Sequence, residues 1–118
     1  MARILFLDDD PLTLQLLDKA SRLLGHEAIV ATNAPLALTL IYSEHPDLVL
    51  ADMNLPGCDG LAFLKEVRAG DRELPVLIVS AGLGADETRQ VMDAGANGTI
   101  DKPLGLDQLA AIITQYLG

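Results

Sequence analysis

The chain alternates two kinds of segment: short runs of continuous apolar residues, each breaking off at a polar or acidic one, and longer stretches whose apolar residues recur at helical spacing. Arg3-Ile4-Leu5-Phe6-Leu7 stops abruptly at Asp8-Asp9-Asp10, the pattern of a strand buried on both faces as it surfaces. From Pro11 onward, Leu16, Leu17, Ala20, Leu23 and Leu24 form an apolar stripe and Gly25 supplies a C-terminal stop, which predicts a first helix. Ala28 to Ala31 predicts a second strand. Leu36 to Tyr42, begun by Pro35, predicts a helix that cannot pass His45-Pro46. Asp47-Leu48-Val49-Leu50-Ala51 predicts a third buried strand, and it too ends on a carboxylate, Asp52.

The segment Asn54-Leu55-Pro56-Gly57-Cys58 has turn chemistry, after which Asp59 can cap a helix carrying Leu61, Leu64, Glu66 and Val67 and closed by Gly70. Pro75-Val76-Leu77-Ile78-Val79 predicts a fourth strand that delivers Ser80 to its end. Asp86 to Ala94 predicts a more polar helix stopped by Gly95, and Thr99-Ile100 a short fifth strand. Leu106 to Leu117 predicts a last helix with Leu109, Ile112, Ile113 and Tyr116 on its inner stripe. Such alternation implies an α/β doubly wound fold: a parallel sheet, right-handed crossovers, helices on both faces, and ligands beyond the carboxyl ends of the strands.

Length and composition narrow this picture. At 118 residues the chain is expected to form one domain, residues 1–118, since a second core of ordinary size would need roughly 100 residues more. Half of the residues are apolar, enough to bury a core despite a net charge of -9. Eight Lys and Arg against seventeen Asp and Glu leave no electrostatic footprint for nucleic acid, so direct DNA binding is not expected. The single cysteine, Cys58, cannot make an internal disulfide and has no basic sequence neighbour to activate it. The N-terminal residues run straight into the first strand without a signal-peptide core, and no apolar run is long enough to span a bilayer. The expected setting is cytoplasmic and soluble, with no membrane contact.

What the strand ends collect is the chemistry. Asp8, Asp9, Asp52, Ser80 and Lys102 all arrive at one edge of the predicted sheet. Three converging carboxylates repel one another unless a cation sits among them, and an all-oxygen site with few protein ligands suits octahedral Mg²⁺ with its retained waters. A lysine and a hydroxyl beside that metal fit a bound phosphoryl group, because both donate to its oxygens. Asp10, the third acid of the run, is expected to cap the first helix.

The arrangement resembles the receiver domain of bacterial two-component response regulators over essentially the whole chain. The residues that carry the resemblance are Ile4 to Asp10, Pro46 to Asp52, Leu55-Pro56-Gly57-Cys58-Asp59-Gly60, Pro75 to Ala81, Gly95-Ala96-Asn97-Gly98 and Lys102-Pro103. The resemblance implies a flavodoxin-like five-stranded sheet of order 2-1-3-4-5, as in the chemotaxis receiver. It implies that Asp52 is the nucleophile, taking a phosphoryl group from the phosphohistidine of a sensor histidine kinase or phosphotransfer protein. Asp8, Asp9, Asp52 and the backbone carbonyl of Asn54 would hold Mg²⁺, Lys102 would clamp a phosphoryl oxygen, and Ser80 would swing in to bond another. The Lys102-Pro103 peptide is expected to be cis. Such a domain is not a conventional enzyme; it catalyses its own phosphorylation and dephosphorylation and signals to a downstream protein or a fused output domain.

Thr99 stands where many receivers carry Tyr or Phe, so the aromatic switch is missing. Asp86, Glu87, Asp93, Asp101 and Asp107 make the last face acidic, with Arg89 nearly alone against them, so the isolated chain is expected to be monomeric. The resemblance implies that two positions flanking the site, here Asn54 and Gly82, set the life of the phosphoryl state; Gly82 shields nothing and Asn54 is placed to hold a water, so fast hydrolysis is expected. His26 and His45 are read as ordinary, and Met53 and Met92 as filler in or near the core. A pseudo-receiver that works by protein contacts alone is the alternative reading, and the full set of acids, hydroxyl and lysine argues against it. A flavin-binding relative lacks support, because Asp9-Asp10-Pro11 would repel a phosphate. A stand-alone regulator and a piece of a larger one both remain open.

Overall fold

The computed structural model describes residues 1–55 and 57–117; Pro56, inside the predicted turn, and Gly118 lie outside the described residues. Strands β1 (Arg3–Leu7), β2 (Glu27–Ala31), β3 (Leu48–Asp52), β4 (Val76–Ser80) and β5 (Gly98–Asp101) alternate with helices α1 (Pro11–Leu23), α2 (Ala34–Glu44), α3 (Gly60–Gly70), α4 (Ala85–Asp93) and α5 (Leu106–Leu117). The strands form one sheet of order β2-β1-β3-β4-β5, and every neighbouring pair is parallel. The expected order and architecture therefore hold.

Strand side chains alternate between the faces of a sheet, and here both faces are covered. Leu5, Leu7, Val49, Ala51, Val76 and Ile78 meet Ala34 and Ala37 of α2, Phe63, Leu64 and Val67 of α3, and Val91 of α4. Ile4, Phe6, Leu48, Leu50, Leu77 and Val79 meet Leu14 of α1 and Leu109, Ile112 and Ile113 of α5. A strand packed on both sides has no room for polar side chains, which is why β1, β3 and β4 read as unbroken apolar runs.

Local capping sets the helix starts. Asp10 caps α1 as expected, its carboxylate accepting from the Leu12 amide at 3.1 Å and from the Thr13 hydroxyl at 2.8 Å. The Thr13 hydroxyl first, then the Leu12 amide, hold the Asp10 pKa below its usual value. Asn33 caps α2 through the Leu36 amide, so that helix starts two residues before the predicted span. It ends at His45 in the left-handed conformation (φ 50°), a strained choice for a residue with a Cβ that turns the chain before Pro46. Asp59 caps α3 through the Ala62 amide.

The stripe expected on α1 is corrected. Leu14 and Ser21 are its buried residues, with Leu17, Ala20 and Leu24 packed beside them, while Leu16 and Leu23 are exposed. At roughly 100° per residue, positions 14, 17, 21 and 24 trace the inward line, and 16 and 23 fall near its opposite side. The helix carries more leucines than one face can hold. Glu66 and Met92 are also exposed, the core place on α3 being taken by Phe63. On α5 Leu109, Ile112 and Ile113 are buried and Tyr116 partly so, as expected.

Phe63 is fully buried in the core under α2, α3 and α4, so Phe63→Ala should cost about 3–5 kcal/mol of unfolding free energy in urea titrations. Leu23→Ala, at an exposed position, should stay within about 0.5 kcal/mol. Equal losses in the two variants would contradict the assignment of the α1 face.

Candidate functional site

The parallel sheet points the C-terminal ends of β1, β3, β4 and β5 to one edge, and each end places a polar residue there. Asp8 follows β1 directly, Asp52 closes β3, Ser80 closes β4, and Lys102 follows β5. Their mutual register is set by the ladder. Asp52 pairs with Val79, Ser80 pairs with Asp101, and the Lys102 amide donates to the Ser80 carbonyl at 2.8 Å. The Lys102-Pro103 peptide is cis, as the resemblance implied.

Asp8, Asp52 and Ser80 are buried, while Asp9 is exposed. Two buried carboxylates side by side are costly unless a positive group lies between them. Lys102 supplies it: its Nζ lies 3.0 Å from Asp8 Oδ2 and 3.1 Å from Asp52 Oδ2. Each carboxylate is also held by backbone, Asp8 Oδ1 by the Asp10 amide at 2.9 Å and Asp52 Oδ1 by the Asn54 amide at 3.1 Å. The Ser80 hydroxyl accepts from the Gly82 amide at 3.2 Å. Among the described residues no buried side-chain nitrogen or oxygen lacks a partner.

Burial is the largest single influence on the Lys102 ammonium and lowers its pKa. The hydrogen bonds and charges of Asp8 and Asp52 together outweigh it, and the pKa stands above the usual 10.5. On the lysine side, the stabilisation from this pairing is fully present below pH 10.5 and is lost as the pH climbs through the raised folded-state value.

Asp8, Asp9 and Asp52 each offer a carboxylate oxygen, and these three oxygens lie within 4.8 Å of one another. Oxygens sharing one Mg²⁺ at about 2.1 Å are separated by about 3–4.2 Å, so the donor set needs only a small contraction to fit that ion. Hard carboxylates and no sulfur or imidazole among the three is the donor chemistry of hard divalent ions such as Mg²⁺, Ca²⁺ and Mn²⁺. Asn54, two residues past Asp52, is exposed at the same edge and reaches the cluster through its amide. The structure thus groups Asp8, Asp9 and Asp52 with Lys102, and places Ser80 and Asn54 at the same sheet edge.

Sequence patterning alone did not reveal the cavity beside them. A space of about 410 Å³ separates α1 from the segment after β5, with Phe6, Leu50 and Val79 at its floor and Asp8, Asp52 and Lys102 at one end. Leu16 and Leu106 line its outer part and are exposed. The surplus of leucines on α1 was the available signal. Of the two histidines, His26 has a structural part: its Nδ1 accepts from the Ala2 amide at 2.9 Å and ties down the N-terminus.

Removing the Lys102 charge tests this electrostatic arrangement. Without a divalent cation, Lys102→Met should lower stability by about 1–2 kcal/mol, because two buried carboxylates then face each other and the pair is only partly shielded from solvent. Calorimetry should show Mg²⁺ binding about 3–10-fold tighter in the same variant, since a competing positive charge is gone. A variant unchanged in both respects would show that Lys102 is not the charge that balances the acids.

Comparison with known proteins agrees with this fold. A family model for the response regulator receiver domain matches residues 4–114. The regulatory protein AtoC of Escherichia coli K12 is 35% identical over 115 residues, which is 98% of this chain and 25% of that protein. The sensor histidine kinase RcsC of the same organism is 32% identical over 113 residues, 96% of this chain and 12% of that protein. The chain thus spans a small part of each of these relatives. The crystal structure of a CheY-like response regulator receiver domain protein from Methanospirillum hungatei superposes with a TM-score of 0.93 at 26% identity, covering 99% of this chain and 94% of that one. A two-sided parallel sheet with paired acids, a hydroxyl and a lysine at its carboxyl edge, matched over nearly its whole length by that family, makes this chain a response regulator receiver domain of the two-component type.

Proposed function

We propose that the chain is a phosphoacceptor receiver in which Asp52 takes a phosphoryl group from the phosphohistidine of a sensor histidine kinase or phosphotransfer protein. The observation that carries this reading is the bridging of buried Asp8 and Asp52 by Lys102 at the sheet edge, beside buried Ser80. An Asp52 carboxylate oxygen attacks phosphorus, the bond from phosphorus to the donor's imidazole nitrogen breaks, and an acyl phosphate forms. Lys102 is placed to donate to a phosphoryl oxygen, and the Ser80 hydroxyl to another. Asp8, Asp9, Asp52 and the Asn54 carbonyl would hold Mg²⁺, which when bound offsets negative charge on the transferring oxygens.

The activity is directed at the domain itself, so the chain is read as a signalling module and not a conventional enzyme. The exposed Leu16 and Leu106, at the cavity that opens beside Asp52, favour a protein donor over a small polar one. Residues 1–118 are read as one receiver unit that passes its state to a downstream protein or fused output domain. The acidic residues of α4 and after it, Asp86, Glu87, Asp93, Asp101 and Asp107, leave like charges to repel across a two-fold contact, which supports a monomer. The same charge balance argues against direct nucleic-acid contact. Among the described residues no helix is long and apolar enough to cross a membrane, and the proposed setting is cytoplasmic.

Acetyl phosphate with Mg²⁺ should add one phosphoryl group by intact mass, and Asp52→Asn should add none. Full labelling of that variant would sink the assignment. Asp8→Asn combined with Asp9→Asn should abolish calorimetric Mg²⁺ binding and labelling together.

The lifetime of the acyl phosphate follows from access to it. Gly82 is exposed, with nothing within 4 Å of where a Cβ would lie, and Asn54 is exposed too, which supports a route for water past both. Hydrolysis is therefore expected to be fast, and a large aliphatic residue at Gly82, or Asn54→Met, should each slow loss of phosphate several-fold. Unchanged decay in both would place the water's path elsewhere.

A further inference from the structure

We propose that Gly60, the first residue of α3, is a positioning residue for the phosphorylation site, because only a residue without a Cβ lets the helix seat against the backbone that carries Asp52 and Asn54. The proposal rests on the functional reading above. A Cβ built on Gly60 would lie 2.8 Å from Met53 Cα and 2.9 Å from the Asp52 carbonyl oxygen. Both neighbours are backbone, which cannot rotate aside as a side chain can. Gly60 does not have a positive φ. The requirement is for space alone, and helix propensity would favour alanine there.

The contact closes a loop. The Gly60 amide donates to the Met53 carbonyl at 2.7 Å, and the Met53 amide donates to the Val79 carbonyl at 2.9 Å, so the base of the loop after β3 is clamped between α3 and β4. Asn54 is the next residue along. Its amide holds Asp52 Oδ1, and its carbonyl is the proposed fourth ligand of Mg²⁺. A methyl group at position 60 must push α3 away or shift residues 52–54 by a few tenths of an ångström. Either movement changes the aim of the Asn54 amide and carbonyl at once. Gly70, at the other end of the same helix, has nothing within 4 Å of its Cβ position and serves as the comparison.

The test compares Gly60→Ala with Gly70→Ala and with Val67→Ala, a buried change two turns along the same helix that lowers stability. Amide resonances of Met53 and Asn54 should move in Gly60→Ala and stay in place in the other two. Mg²⁺ affinity by calorimetry should fall about tenfold in Gly60→Ala alone, the usual scale for disturbing what orients a metal ligand. Acetyl phosphate labelling should slow in parallel. If Gly60→Ala is partly unfolded, trimethylamine N-oxide restores the folded fraction for the same measurements. Unmoved Met53 and Asn54 resonances with parental Mg²⁺ affinity would overturn the proposal. A parent chain that binds Mg²⁺ but is not labelled at Asp52 would instead defeat the functional reading, and the resonance and affinity comparison would still decide the role of Gly60.

Discussion

The structure depends on two carboxylates that are buried a few ångströms apart at the edge of a sheet, with one lysine shared between them. Burial and mutual repulsion both disfavour two negative charges placed side by side, and the shared ammonium offsets that cost. Lys102 comes from the far side of the chain, 94 residues from Asp8 and 50 from Asp52. The pairing therefore requires that β1, β3, β4 and β5 be in register, and the domain must fold before its chemistry exists. The ammonium sits on two of the three carboxylates that cluster at this edge, and their hydrogen bonds and charges outweigh burial and keep its pKa raised.

That register is a consequence of burial on two faces. Each central strand sends alternate side chains into two separate cores, one under α2, α3 and α4 and the other under α1 and α5. A slip by one residue would exchange the two sets and disturb both cores together. The polar residues at the strand ends are then held at the edge by the packing of the apolar residues before them. Ser80 sits there because Val76 to Val79 are buried, and its backbone carbonyl in turn receives the Lys102 amide.

The loop after β3 shows the same coupling on a smaller scale. Met53 is tied to β4 on one side and to α3 on the other, and Asn54 inherits its position from both. Neighbouring elements thus aim the Asp52 carboxylate as much as its own strand does. On the α1 side, the space between that helix and the segment after β5 is lined by the same carboxylates.

Much of this was legible in the amino-acid order. The five apolar runs, their acidic or polar ends and the capping residues Asp10 and Asp59 specify local structure through forces that act within a few residues, and the elements follow them to within one or two positions. The site residues were legible for the same reason, because a parallel sheet carries every strand end to one edge. Three features were decided only by the tertiary structure. The inward face of α1 runs through Leu14 and Ser21 because the sheet accepts one face of a helix that has leucines on several. The cavity beside Asp52 is the gap between α1 and the segment after β5, which lie far apart in sequence. The need for glycine at position 60 arises from backbone atoms of residues 52 and 53 that only the packing of α3 on β3 brings within 3 Å, a contact between chain segments that no local pattern encodes.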